Sequence, residues 1–299
     1  MGYPKSAPLP PGDDAGGVFA LGRALLLKTD GFRAAEVRLS GMPEAAIGWR
    51  AVTAVASDLL AKLAGPLGFV LAVFLPPEAE VEKALAWTQG AARAARAYGA
   101  PLLGGDTNAG EEAVVASGYA VAERPLPRGA REGDHLLLVG DRYGLTGAAI
   151  DAHYRGADLS RYPAIRAAGH WPRARLALLG LGPYRRYLSG SADSSDGLAL
   201  TLWLLAEAGG VGVELFSLPF HPELLAYARE HGLAPESLVL YGGEEYEAVL
   251  AVRPEGRPFV AAWLEEHGVP HHWAGRFSGP VGVRFSDLPV ARKGYDHFR

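Results

Sequence analysis

Two kinds of apolar pattern alternate along the chain. Short apolar runs closed by glycine or polar residues predict buried strands. Longer stretches with apolar positions three and four apart predict helices. Runs of the first kind occupy 25–29, 68–75, 101–103 and 113–123, and helical stretches cover 44–63 and 78–98. Pro43 suits the first turn of the earlier helix, where its ring fixes φ and no amide donor is needed. This half therefore reads as an α+β arrangement. Residues 124–132 follow, with Pro125, Pro127 and Gly129 among several charges, and this composition marks a linker. Beyond it the pattern predicts strands at 136–139, 211–215, 246–252, 271–277 and 281–285. Helices are predicted at 144–153, 198–207, 222–231 and 259–267, with a helical stretch at 161–179 interrupted at Pro163, Gly169 and Pro172. That alternation is α/β. The expected organisation is two domains, 1–126 and 127–299, with no short-period repeat and no low-complexity segment.

Composition narrows the function. The 299 residues suffice for two cores, and 49% hydrophobic with 21% charged residues is ordinary for a globular chain. A net charge of −4 argues against a protein that wraps nucleic acid. Without cysteine there is no disulfide, no thiolate metal site and no cysteine nucleophile. Residues 1–11 are rich in proline and lack the apolar centre of a signal peptide, and the longest apolar stretch, near 67–75, is too short to span a bilayer. The expectation is a cytoplasmic protein that engages neither membrane nor nucleic acid.

Candidate chemistry lies in six acidic clusters set beside glycines and hydroxyl residues. They are Gly12-Asp13-Asp14, Lys28-Thr29-Asp30, Ser57-Asp58, Gly104-Gly105-Asp106-Thr107, Asp193-Ser194-Ser195-Asp196-Gly197 and Gly242-Gly243-Glu244-Glu245. Each alone has an ordinary explanation as a turn or a helix cap. Together they suggest a distributed cage of oxygen ligands for hard cations that hold phosphates. Asp58 is the most telling, because a carboxylate within an apolar helix is costly unless paired or metal-bound; exposure by helix rotation is the alternative. Gly104-Gly105-Asp106-Thr107 reads as a loop whose glycines admit a phosphate, or else as a hairpin turn. Ser195 or Asp196 caps the following helix or joins a metal–phosphate assembly at its positive end. The phosphate-cradling P-loop, zinc-protease, α/β-hydrolase and protein-kinase signatures are all absent. His271-His272 lack metal-ligand spacing and read as exposed loop residues.

Taken in order, these segments resemble thiamine-monophosphate kinase, of the superfamily that includes aminoimidazole ribonucleotide synthetase and selenophosphate synthetase. Arg128-Gly129-Ala130, Gly133-Asp134 and the C-terminal Gly294-Tyr295-Asp296-His297-Phe298 extend the match over nearly the whole chain. The resemblance implies an aminoimidazole ribonucleotide synthetase-like fold, with an N-terminal α+β domain that forms a homodimer and a C-terminal α/β domain. It further implies transfer from ATP to thiamine monophosphate through several magnesium ions. Asp14, Thr29, Asp30, Asp58, Asp106, Asp193 and Asp196 would hold magnesium, with Asp106 and Asp196 central to catalysis. Gly105, Asp106, Arg128 and Ser195 would contact ATP, and Glu244 and Tyr295 the acceptor. Such a transfer needs charge neutralisation and alignment, with no phosphoenzyme. The chain also departs from the family. Lys28 stands for the usual Ser or Thr, so that one metal contact is lost or replaced by a cation. Glu245 stands for the usual Asp, and an Asn before Ser57-Asp58 is absent. The family's substrate His is missing, with Arg38 the nearest candidate. The alternatives are another ATP-dependent kinase or synthetase of the superfamily, or a nucleotide-binding protein with degraded catalysis.

Overall fold

The computed structural model describes residues 7–294, and its strands form two sheets that divide the chain. The first contains β1 (Gly16–Ala20), β2 (Arg23–Arg33), β3 (Gly65–Leu75), β4 (Leu102–Ala109) and β5 (Ala113–Ala122), in the order β1-β2-β5-β3-β4. Only β3 and β4 run parallel, and the long helix α3 (Val81–Ala97) makes the crossover that a parallel pair requires. A single turn, α1 (Ala34–Val37), precedes the other long helix, α2 (Ala45–Ala61). The apolar pattern gives no sign of β1, because four of its five residues are exposed. It pairs with β2 through a tight hairpin in which Leu21 and Gly22 both take positive φ.

Two expectations from the pattern are corrected here. β2 runs on through Asp30 to Arg33, so Thr29 and Asp30 lie inside a strand and not at its end. β4 likewise continues to Ala109, and Gly104-Gly105-Asp106-Thr107 is strand, not loop. Its place at the sheet edge explains why two glycines are tolerated. Gly105 is required there, since a Cβ would stand 1.8 Å from the Leu71 carbonyl oxygen.

One face of this sheet is covered. Phe69, Leu71, Val73 and Leu75 of β3 are buried under the helices, whereas Val70 on the same strand, with Val18 and Leu27, stands exposed on the other face. α2 is buried at every position except its first. A helix apolar all round needs partners on both sides, and α2 packs on the first sheet and on β7 and β9 of the second. Its approach to α3 is close: at Gly48 a Cβ would meet the Trp87 carbonyl oxygen at 1.8 Å, and at Gly90 the Ala45 carbonyl oxygen at 1.7 Å.

The second sheet gathers β6 (His135–Val139), β7 (Leu188–Ser194), β8 (Val213–Leu215), β9 (Glu247–Val252), β10 (His271–Phe277), β11 (Val283–Phe285) and β12 (Leu288–Pro289). Its order is β12-β11-β8-β10-β6-β9-β7, with β8 and β11 the one parallel pair. Helices α4 (Leu145–Arg155), α5 (Pro163–His170), α6 (Leu198–Gly209), α7 (Pro222–His231), α8 (Pro235–Tyr241) and α9 (Arg257–Glu266) alternate with these strands. Pro163 begins α5 instead of interrupting it, the position where a missing amide costs nothing. The Asp193 cluster does not open a helix directly. Asp193 and Ser194 end β7, and α6 is capped by Gly197 without a side-chain bond. His271 and His272 lie on β10, not in a loop, and His272 hydrogen-bonds Ser217 at 2.8 Å. Among the described residues no helix is long and apolar enough to cross a membrane.

Candidate active site

Where α2 passes between the sheets, charged groups converge in the interior. α2 contributes Ser57 and Asp58, β2 contributes Lys28, the turn before β1 contributes Asp13 and Asp14, and the end of β7 contributes Asp193. Carboxylate oxygens of Asp14, Asp58 and Asp193 lie within 4.8 Å of one another, and all three residues are buried. Asp58 is thus internal and paired, with its Oδ2 2.8 Å from Lys28 Nζ. Ser57 donates to Asp193, and Arg128 bonds Asp14 through its guanidinium and Asp13 through its amide at 2.8 Å. Burial, reinforced by the charge of Asp14, pushes the Asp193 carboxyl up to about 6. Burial and the Asp193 charge likewise raise Asp58 well above the usual range, against the pull of Lys28. For Asp14 burial acts in the same upward sense, but Lys62 and Arg128 overcome it and hold the group low. Three clustered oxygens with surplus negative charge form the donor set that a hard divalent cation takes.

Two cavities meet at this nest. The larger, of ≈ 680 Å³, runs from Asp30 and Asp58 past Arg38 to Glu244 and Tyr246. A smaller one of ≈ 160 Å³ is bounded by Asp14, Arg128, Asp193 and Thr201. Lys28, Asp58, Ser195 and Asp196 line both. The wall formed by residues 242–246 is held against the end of β7, with the Glu244 amide donating to the Ser195 carbonyl and the Tyr246 amide to the Ser194 carbonyl. Glu244 and Tyr246 take positive φ of 61° and 53°, a conformation that non-glycine residues adopt at a cost when surroundings enforce it. Arg50 of α2, wholly buried, reaches Glu244 Oε2 at 2.5 Å and also donates to the Gly169 carbonyl. Behind this wall, Glu245 is buried with its Oε1 accepting from the Gly144 amide, and burial with the neighbouring Glu247 charge pushes it up to about 8.

The remaining expected site residues stand apart from the nest. Thr29 points to the open sheet face, where its hydroxyl bonds Ser117 at 2.8 Å. Asp106 is in register with Ala72, Val115 and Gly31 on that same face, three strands or about 14 Å from the row of β2. The helices' face holds the nest, so within one chain Asp106 and Asp58 look in opposite directions. Gly105 sits beside Asp106 on the exposed edge strand. Arg38 lines the larger cavity with its guanidinium engaged by Glu44 and Glu112. Tyr295 lies outside the described residues.

Residues 12–123 match the family "AIR synthase related protein, N-terminal domain". Over 275 residues the chain is 33% identical to a thiamine-monophosphate kinase of Synechococcus elongatus, covering 86% of this chain and 81% of that protein. The chain belongs to the thiamine-monophosphate kinase family. Its fold follows that of tt0281 from Thermus thermophilus, at 55% identity and a TM-score of 0.93 over 98% of this chain and 95% of that one. It also matches AaThiL complexed with AMPPCP and TMP, at 27% identity and a TM-score of 0.86 over 96% and 91% of the two chains.

Sequence reasoning overlooked two buried cations at this kinase-family site. Lys62, at the end of α2, and Arg50, near its start, carry the same signal that singled out Asp58: an ionic side chain in an apolar helix.

Proposed function

We propose that the protein transfers the γ-phosphoryl group of ATP to the phosphate of thiamine monophosphate, giving thiamine diphosphate and ADP. The observation that carries this reading is the buried carboxylate nest of Asp14, Asp58 and Asp193, open to two joined cavities in a chain of this family. Magnesium held there by those carboxylates would neutralise phosphate oxygens and align donor with acceptor. Ser195 and Asp196, at the junction of the cavities, adjoin the point of transfer, and Arg128 flanks the smaller cavity on the ATP side. Glu244, held by Arg50, presents a carboxylate to the cationic thiamine ring in the larger one. The acceptor phosphate is already an anion, so the transfer needs neither a covalent intermediate nor a general base.

We further propose that the active unit is a homodimer divided along each chain at 126/127. The exposed apolar residues of the open sheet face favour a covering partner. A second copy packed there would bring its Gly105 and Asp106 toward the ATP of the first, which accounts for their distance from their own nest. Cytoplasmic residence accords with this chemistry, where ATP and magnesium are both supplied.

The test is to incubate purified protein with ATP, magnesium and thiamine monophosphate and to resolve the products. Thiamine diphosphate formed in step with ADP is expected. ADP released only with a different acceptor, or nucleotide bound without turnover, would overturn the reading.

A further inference from the structure

Two lysine ammonium groups are built into the carboxylate nest at points where a positive charge is required. Lys62 Nζ is wholly enclosed, 2.7 Å from Asp13 Oδ1 and 2.6 Å from Asp14 Oδ2, and it donates to the Ser191 carbonyl at 2.8 Å. Its partners are all oxygens, two of them anionic, which is the surrounding of a caged cation. Lys28 Nζ lies 2.8 Å from Asp58 Oδ2 and 3.9 Å from Asp30 Oδ2. It is partly exposed and lines both cavities where they join. Charge completes the picture. Counting only the groups joined by these ion pairs and by the carboxylate cluster, and with every carboxylate ionised against a bound ion, Asp13, Asp14, Asp30, Asp58 and Asp193 bring five negative charges, and Lys28, Lys62 and Arg128 bring three positive ones. The remainder, five minus three, is the charge of one divalent ion.

We propose that Lys28 and Lys62 replace divalent ions in this nest, so that the nucleotide-free chain binds a single divalent ion, among Asp14, Asp58 and Asp193. Lys62 is the permanent counter-ion of the Asp13–Asp14 turn. Lys28 faces the cavities, where its ammonium supplies to the phosphoryl group in transit the positive charge that a second ion would otherwise bring. Unlike a divalent ion, neither charge dissociates when magnesium is scarce. The role given to Lys28 rests on the phosphoryl transfer proposed above; the count of ions does not.

The test counts bound Mn²⁺ by electron paramagnetic resonance on the full chain, without nucleotide or thiamine phosphate. The parent protein should bind one ion. Lys28→Thr removes an ammonium and adds an oxygen, and should bind a second ion or hold the first at least about tenfold more tightly. Lys28→Arg should behave as the parent, and Asp58→Asn should weaken binding in either background. Lys62→Met should show a larger Mn²⁺-induced rise in Tm than the parent. Two or more ions on the parent chain, or a Lys28→Thr variant with unchanged number and affinity, would overturn the proposal. Because the count needs no turnover, a protein that meets it yet makes no thiamine diphosphate would defeat the kinase reading alone. An active kinase in which Lys28→Thr changes no ion count would defeat the lysine proposal alone.

Discussion

Arg50 shows how a single buried charge ties the wall of the larger cavity to the helix beneath it. Its guanidinium is fully enclosed and directed at Glu244, so Arg50→Met would leave a carboxylate without its partner. The expected outcome is a raised KM for thiamine monophosphate with a smaller change in kcat, a stability loss of about 3 kcal/mol, and partial rescue by Arg50→Lys. An unchanged KM would detach Glu244 from the acceptor. Glu245 supplies a pH signature. Its carboxyl is raised to about 8 by burial and by Glu247, while the Gly144 amide and Ser194 hydroxyl oppose the rise. Below its ordinary value of 4.5 both folded and unfolded states are protonated, so no penalty exists there. From 4.5 to about 8 the unfolded chain binds fewer protons than the folded one, and stability falls as pH rises. Glu245→Gln should flatten that slope and exceed the parent at pH 8 by on the order of a few kcal/mol in denaturant titrations. Parallel profiles for the two proteins would refute it. At this scale Asp58 was legible in the sequence because its burial could be inferred from its apolar neighbours. The sequence shows Lys28 only as a cation at a usual metal contact, and neither its pairing with Asp58 nor that of Lys62 with Asp13 and Asp14 is legible, since pairing across elements depends on which ends of β2 and α2 meet.

Helices are more legible in this sequence than strands. α2 and α3 announce themselves by seventeen-residue spans of helical period, whereas β1 is short and exposed, and β7 carries the polar sequence LSGSADS. The sequence LLGGDTNA of β4 has the composition of a turn, and only pairing with β3 makes it a strand. What the pattern of small residues in α2 and α3 conceals is their purpose, which is close approach. Gly90 faces the backbone carbonyl of Ala45, which has no side chain to swing aside. Gly90→Ala should therefore destabilise the protein by about 1–3 kcal/mol despite alanine's better helix propensity. A denaturation midpoint equal to or above that of the parent would show that the helices can separate at no cost. Displacement of α2 by this variant should also lower phosphoryl transfer, because Ser57 and Asp58 travel with the helix.

For the whole molecule, the decisive relation is that Asp106 and the carboxylate nest occupy opposite faces of one sheet. A site built from the nest of one chain and Asp106 of another predicts complementation. Asp58→Asn and Asp106→Asn should each reduce turnover by orders of magnitude. When the two are co-expressed, each mixed dimer holds one site with both residues intact, and activity should return. Continued inactivity of the mixed protein, with dimers demonstrated by sedimentation, would refute the shared site. The two-sheet plan itself could be anticipated from the break at 124–132, but the seating of α2 between the sheets could not, because an apolar helix does not reveal what lies on either side. That seating has a consequence for synthesis. α2 leaves the ribosome more than a hundred residues before β7 and β9 exist to cover its second face. The nascent first half therefore carries a long greasy surface for several seconds of translation at roughly 5–20 residues per second. It is this stretch of the polypeptide that a ribosome-associated holdase would protect, and separating the gene at the linker should yield an N-terminal fragment that precipitates.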